Sequence, residues 1–139
     1  KARLATPRRA MGQLLGNGVR FGAAHDALGA GEGIETMLSL RCALPSLPMV
    51  AALSAIHLAA LALPSGLRRL YVARDNDPAG RRAAEALSAR AEASGIEALT
   101  LTPTADDFNT DVRLLGRDAL TASLRVQLVP EDVARFLRR

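Results

Sequence analysis

Apolar and polar positions alternate between two periods along most of the chain, and the switches between them mark its elements. "IETMLSLRCAL", residues 34–44, spaces its apolar residues as a helix does, with Glu35 in the first turn, where a negative side chain suits the macrodipole. "PSLPMVAAL" then gives a proline-punctuated turn and a short apolar strand over residues 49–53. "SAIHLAALAL" reads as a second helix, with Ser54 as its N-cap and Pro64 and Gly66 ending it. The run "RRLYVAR" is strand-like, residues 78–94 form a long alanine-rich helix that starts at Pro78, and Gly95 closes it at the C′ position. "IEALTLT" alternates with the period of a strand. From Asp107 the pattern predicts two or three short helices, the last being "PEDVARFLRR" with Pro130 at its start. Ahead of Ile34, the segment "KARLATPRRAMGQLLGNGVRFGAAHDALGAG" is Gly-rich and only weakly periodic.

Strands alternating with helices of this length build βαβ units, whose crossovers cover both faces of a parallel sheet. The expected fold is therefore α/β, a Rossmann-like doubly wound sheet of about four parallel strands with helices on both faces. No repeat and no low-complexity linker interrupts it. The chain opens on Lys1 rather than Met, and we expect a piece of a longer parent chain. The expected divisions are an N-terminal extension over residues 1–26, the α/β domain over residues 27–116 and a C-terminal helical extension over residues 117–139.

Composition changes this picture little. An apolar fraction of 49% in 139 residues is enough to bury a core, and 3% aromatics leave that core to Leu, Ala, Val and Ile. No apolar run reaches the roughly 18–20 residues that span a bilayer, so no membrane partner is expected. The single cysteine, Cys42, excludes an internal disulfide, fits a reducing, cytoplasmic setting, and reads as a small buried helix residue. The formal charge is +4, and Lys1 is the only lysine among the basic residues. Arginine has the planar, bidentate geometry that suits phosphate, although a GC-rich coding bias produces the same replacement.

The candidate chemistry lies in "YVARDNDPAG". In doubly wound sheets, sites collect at the carboxyl ends of the strands, and Asp75 and Asp77 follow a strand there. Residues i and i+2 of an extended segment point the same way, which would aim both carboxylates at one point. Such a hard anionic pair suits Mg²⁺. Two plainer readings compete: Asp77 before Pro78 is also a helix N-cap with proline at N1, and "DNDPAG" is ordinary turn composition. A calcium loop is excluded, because its last liganding position would be Ala86. Glu32, in "GAGEGIETMLSL", also sits between a strand and a helix, with Gly33 expected to free a sharp turn. If the two strands are neighbours, the three acids share a crevice, and the third carboxylate either completes a metal shell or acts as an acid/base.

"EGIET" opening a helix, "ARDNDPAGRRAA" after a strand and "DDFNTDV" near the end together resemble the Toprim domain, the nucleotidyl-transfer and hydrolysis module shared by topoisomerases and primases. The resemblance spans residues 27–115 and is nearest to the modules of phage- and plasmid-type primases and primase-helicases. It implies that Glu32 is the family's glutamate and that Asp75 and Asp77 are its metal-binding pair. A later acidic site is implied in "ADDFNTDV", which offers Asp106, Asp107 and Asn109, with Asp107 the favoured ligand. Gly80 matches the family's "DxDxAG" continuation. Two departures stand out: "DALGAG" is poor in Val and Ile for a buried strand, and Ala79 breaks the longer acid run common in topoisomerases.

The function so implied is Mg²⁺-dependent nucleotidyl transfer in a DNA primase-like protein, with Mn²⁺ as the alternative ion. Glu32, Asp75 and Asp77 would be catalytic, joined by Asp107 at the metal. DNA or RNA and nucleoside triphosphates would be partners, as would further domains of a parent primase or helicase. Arg74, Arg81 and Arg82 are candidates for nucleotide or backbone phosphates; a solvated helix face with Arg81 pairing Glu85 explains the latter two equally well. Arg68 and Arg69 lie close by in sequence. His25 and His57 are lone histidines that read as ordinary structural residues, and Tyr71 and Phe108 are too scattered to form a stacking platform. A Toprim nuclease, or a nonenzymatic nucleic-acid-binding domain on the same fold, are the alternatives. Priming by this chain alone is expected to be weak or absent, with metal binding retained.

Overall fold

The structure, a computed structural model, describes residues 17–139. Its centre is a five-stranded sheet made of β1 (Val19–Phe21), β2 (Ala27–Gly31), β3 (Met49–Ala51), β4 (Arg69–Ala73) and β5 (Glu97–Leu101). The helices are α1 (Ile34–Ala43), α2 (Ala55–Ala59), α3 (Pro78–Ala93), α4 (Phe108–Leu115), α5 (Arg117–Gln127) and α6 (Pro130–Phe136). The spatial order is β1-β3-β2-β4-β5; β2, β3, β4 and β5 run parallel, and β1 lies antiparallel on the edge beside β3.

The four parallel strands and the helices on both faces are as the patterning predicts. β1 is an addition. Its "VRF" is too short and too polar to announce itself, and it is held by pairing with β3, Val19 opposite Ala51 and Phe21 opposite Met49. The expected second helix is cut back to Ala55–Ala59, although Ser54 does cap it, accepting from the His57 amide at 3.1 Å. The strand expected over residues 49–53 ends at Ala51, and Leu53 adopts a left-handed conformation with φ of 84°. Of the expected N-terminal extension, residues 1–16 lie outside the described residues.

Alternation along each strand splits the core into two layers. Tyr71, Ala73, Met49 and Ala51 face a layer with Met37 and Leu40 of α1, Phe108 of α4, Leu120 and Leu124 of α5 and Phe136 of α6. Leu28, Ala30, Leu70 and Val72 face the opposite layer, with Leu58 of α2 and Ala83, Ala84 and Leu87 of α3. The two aromatics Tyr71 and Phe108 are thus core residues, fully buried. The Ala- and Gly-rich β2 is buried at every position despite lacking β-branched residues. Small side chains are what its place between β3 and β4 demands: a Cβ on Gly31 would run into the Met37 sulfur and lie 3.2 Å from Ala73 Cβ. Gly95 has the positive φ, 79°, expected of the residue that ends α3. Cys42 is only half-buried, on the outer part of α1.

Candidate active site

Because β2 and β4 are adjacent and parallel, with Ala30 paired to Val72, the residues that leave their carboxyl ends emerge side by side. Glu32 follows β2, and Asp75 lies two residues beyond β4. β5 flanks β4 on its other side, Ala73 opposite Leu101, and the loop after it carries Asp107 to the first turn of α4. α1 covers one face and α3 the other, so this is the switch point at which open α/β sheets place their ligands.

Local backbone chemistry fixes each acid. The Leu53 amide donates to the Glu32 carbonyl at 2.6 Å, and the Ala52 amide to Gly31 at 2.8 Å, which ties the β2 exit to the β3 exit. Gly33, expected to free a sharp turn, has ordinary extended backbone (φ −102°, ψ 149°); the strained residue at this corner is Leu53. Asp77 is the N-cap of α3, its Oδ1 accepting from the Gly80 amide at 2.6 Å, with Pro78 in the first turn. Gly80 is required for close approach, since a Cβ there would stand 2.9 Å from the Asp75 carbonyl and 3.2 Å from both Asp75 Cβ and Asp77 Oδ1. Asp107 caps α4, accepting from the Thr110 amide at 2.7 Å.

These residues surround an open cleft of about 360 Å³ lined by Glu32, Gly33, Glu35, Asp75, Asp107 and Asn109, among others. It is lined by four acids and an amide and, among the described residues, by no basic side chain. Among the described residues, neither the Glu32 nor the Asp75 carboxylate has a hydrogen-bond or ion-pair partner. The electrostatics reflect this. Burial raises the Asp75 carboxyl most, and the neighbouring charges of Glu32, Asp107 and Asp77 add to it, pushing it up to about 6. Glu32 is raised for the same reasons, burial first and then Asp77.

The sequence-derived set is therefore partly assembled. Glu32, Asp75 and Asp107 line one cleft, while Asp77 stays beside it, exposed, with one carboxylate oxygen committed to its helix cap. Among the described residues no three such side chains converge closely enough to grip an ion as they stand, so the shared three-acid shell expected of Glu32, Asp75 and Asp77 is not formed. In kind, the donors do fit a hard divalent cation. They are all oxygen ligands, two of them carboxylates without a counter-charge among the described residues, and burial, with the like charges around it, makes Asp75 hold its proton more tightly than an ordinary aspartate.

Of the basic candidates, Arg81 and Arg82 stand exposed on the first turn of α3, with no ion pair to Glu85 or to any other described residue. Arg82 borders a shallow apolar groove with Ile56, Ala79 and Ala83. Arg74 is half-buried; its Nη2 donates to Asn76 Oδ1 at 3.2 Å while its Nε is buried without a partner. Arg68 and Arg69 are at the far, amino end of β4 and are taken up by Asp26, Glu131, Glu97 and Asp132. Asp106 turns its carbonyl to the Asn76 amide at 2.8 Å and does not line the cleft. Two further lining residues are not singled out as ligands by the sequence: Glu35, which reads there as a first-turn acid of α1, and Asn109, offered beside Asp107, whose Oδ1 accepts from Ser39 Oγ at 3.3 Å. Their positions in the first turns of α1 and α4 were the available clue.

Comparison with known proteins bears on the fold. Residues 27–118 match the Toprim domain family. Among solved structures, the chain resembles a DNA primase domain from Pseudomonas aeruginosa, with a TM-score of 0.52 and 23% identity over 73% of this chain and 33% of that one. It also resembles the Aquifex aeolicus primase, comprising zinc-binding and RNA polymerase domains, with a TM-score of 0.50 and 18% identity over 74% of this chain and 26% of that one. At these identities the likeness is one of fold, and the chain spans a third or less of either structure's length. No curated protein matches. No helix among the described residues is long and apolar enough to cross a membrane.

Proposed function

The chain belongs to the Toprim domain family, and from that premise we propose that it is the catalytic module of a primase-like protein, carrying out Mg²⁺-dependent nucleotidyl transfer on DNA or RNA. The observation that carries the proposal is the meeting of Glu32, Asp75 and Asp107 from three adjacent strand ends in one cleft, with no cationic side chain among the described residues to neutralise them. Residues 27–116 would be the catalytic unit. Residues 1–26 and 117–139 would join it to the rest of a parent chain, whose other domains would grip the template.

Asp75 is the central ligand in this reading, because it is the acid on which the charges of all the others bear. Glu32 and Asp107 flank it, and Asp77 offers the carboxylate oxygen that its helix cap leaves over. A bound Mg²⁺, with Mn²⁺ as substitute, would draw phosphates into the cleft and offset charge developing at the transferred group. The chain's own groups do the remainder. Arg81 and Arg82, unpaired at the mouth of α3, present planar donors to nucleotide or backbone phosphates. Asn109, held by Ser39, offers an amide edge to the cleft. Arg74 contributes positive charge beneath the loop.

A second reaction on the same site has one observation in its favour. The Glu32 carboxyl is raised by burial and by Asp77, which suits an acid/base in strand cleavage, so phosphodiester hydrolysis is the alternative outcome. The experiment supplies Mg²⁺ or Mn²⁺ with nucleoside triphosphates and single-stranded template in one arm, and with duplex DNA in the other. It compares the unsubstituted chain with Glu32→Gln and Asp75→Asn. Primer synthesis that falls about 10²–10³-fold in both variants supports the proposal, and nicking with the same sensitivity supports the alternative. Nucleic-acid binding that survives both EDTA and Asp75→Ala, with turnover in neither arm, overturns both and leaves a binding domain.

A further inference from the structure

The loop that brings Asp107 to the cleft, residues 102–107, has no regular structure, yet three side chains from outside it bond the amides of Thr102, Thr104 and Ala105 and the carbonyls of Thr102, Pro103 and Ala105. Gln127 of α5 brackets the start of it, accepting from the Thr102 amide at 2.8 Å and donating to the Thr102 carbonyl at 3.1 Å. Asp111 of α4, 2% exposed, receives the Thr104 and Ala105 amides at 2.8 and 2.7 Å, one on each oxygen. Asn76 takes the outward carbonyls. Its Nδ2 donates to Ala105 at 2.6 Å and to Pro103 at 3.2 Å, and its own amide donates to the Asp106 carbonyl at 2.8 Å. The remaining valence, Oδ1, accepts from Arg74 Nη2. An amide side chain is the one group whose two donors and one acceptor match that set, and the two donors fix which end of it is nitrogen.

Asn76 stands directly between Asp75 and Asp77, and the carbonyls it holds directly precede Asp107. We infer that Asn76 is a positioning residue that latches the loop after β4 to the loop after β5, setting the distance between the Asp75 and Asp107 carboxylates and hence the affinity of the cleft for a divalent cation. The inference rests on the proposed metal site and names the residue that sets its spacing. Among the described residues, no side chain other than Asn76 hydrogen-bonds across the two acid-bearing loops: Asp111 and Gln127 hold the β5 exit only, from the side of α4 and α5. The three Asn76 contacts to one loop replace the ladder hydrogen bonds that stop where β4 and β5 end.

The substitution Asn76→Asp separates this role from simple electrostatics. It preserves the side chain's shape, adds a negative charge beside the cleft, and sets a carboxylate oxygen against two carbonyls that need donors. A field effect alone tightens cation binding. Loss of the latch weakens it. The measurement is Mn²⁺ binding by the 139-residue chain, followed by electron paramagnetic resonance, with thermal unfolding alongside. Asn76→Asp and Asn76→Ala are each expected to weaken Mn²⁺ about tenfold or more, the range for groups that orient metal ligands, and to broaden the spectrum of the bound ion. Gln127→Ala, which frees only the start of the loop, is expected to keep the affinity within about twofold while lowering the melting temperature at least as much. Tighter or unchanged Mn²⁺ binding in Asn76→Asp overturns the inference and leaves the metal site standing. Absence of Mn²⁺ binding by the unsubstituted chain overturns the metal site itself and this inference with it.

Discussion

Strand β4 carries acidic clusters at both ends, and the two have opposite fates. At its amino end, Arg69 bonds Glu97 at 2.8 Å and Asp132 at 2.9 Å, and the Tyr71 hydroxyl donates to the same Asp132 at 2.6 Å. Arg135 bonds Asp26 at 2.7 Å and Asp132 at 3.2 Å, and Arg68 reaches Asp26 and Glu131. At its carboxyl end, Glu32, Asp75 and Asp107 meet no cationic side chain among the described residues. The carboxyl groups respond in opposite directions. Hydrogen bonds from Arg135 and then Arg68 hold Asp26 well below the usual carboxylate range, whereas burial and like charge push Asp75 up to about 6. Among the described residues, one cluster is completed by arginines and the other is left in deficit. The first is how α6 is fastened to the sheet; the second is a site that needs a positive charge from outside.

The largest expected effect breaks the completed cluster. Asp132 is fully buried and Arg69 nearly so. Asp132→Ala leaves the buried Arg69 guanidinium with the half-exposed Glu97 as its one close partner and the Tyr71 hydroxyl without its acceptor, and should cost about 3 kcal/mol in urea unfolding. A loss under about 1 kcal/mol would mean that water reaches Arg69, and that this end is no better buried than a surface pair. The comparison would then lose its contrast.

Next in size is Gly80→Ala. The open cluster is held by backbone proximity rather than by partners, and the added methyl at 2.9 Å from the Asp75 carbonyl must push that loop away. Overpacking of this kind costs about 1–3 kcal/mol, offset in part by the better helix propensity of Ala. Unfolding should move to lower urea, and Mn²⁺ affinity should fall with it. Unchanged affinity would show that Asp75 is placed by something other than its contact with α3.

The two clusters also differ in how much of them a reader of the sequence can see. Strand-end logic finds Glu32 and Asp75, because both follow apolar strands whose neighbours are set by crossover rules; the cleft is their direct consequence. It also foresees that Asp77 beside Pro78 has two readings, and the structure gives the cap a distance without removing the second oxygen from the site. What stays hidden depends on pairings far apart in sequence. Arg69 and Tyr71 look like the start of a strand, and Asp132 like a first-turn acid of α6; only folding brings them within 3 Å. Asn76 reads as turn composition until Pro103 and Ala105 arrive beside it. β2 is a strand that propensity underrates, since its Ala and Gly residues answer to neighbours that local sequence does not name. β1 is held by β3, not by its own three residues.

Sign, rather than size, gives the sharper contrast, and Asp75→Asn tests it. An Asp75 carboxyl at about 6, against an ordinary 3.8, binds its proton more tightly folded than unfolded. Its contribution to stability is therefore present below about pH 4 and is lost as pH rises through 6. Asp26, with a lowered carboxyl, contributes in the other direction: its share is present above pH 3.8 and is lost as pH falls through its folded value. Removing the Asp75 charge should thus stabilise the metal-free chain at pH 7 by about 1 kcal/mol, screening by the open cleft reducing a full linkage of about 3. Saturating Mg²⁺ should reverse the order, because only the unsubstituted chain gains binding energy, and that gain should grow between pH 5 and 7 as the proton leaves. Equal stability of the two proteins without metal at pH 7 would mean that the cleft carries no charge deficit.

The smallest effect belongs to the rim of the completed cluster. Arg68 bonds Asp26 and Glu131, yet its side chain is 54% exposed and both partners are partly exposed as well. Exposed pairs give up in side-chain entropy most of what they gain in attraction, and salt screens the remainder. Asp26 also keeps Arg135 at 2.7 Å when Arg68 is gone. Arg68→Ala should therefore leave the urea midpoint unchanged within error at physiological salt, with a loss detectable only at low ionic strength. The contrast with Asp132 separates burial from pairing as the source of strength at this end, because the two residues belong to one network and differ chiefly in their access to water. A large, salt-independent loss on removing Arg68 would show that the network acts as a unit, and that α6 is fastened by all of its charges together rather than by the buried few.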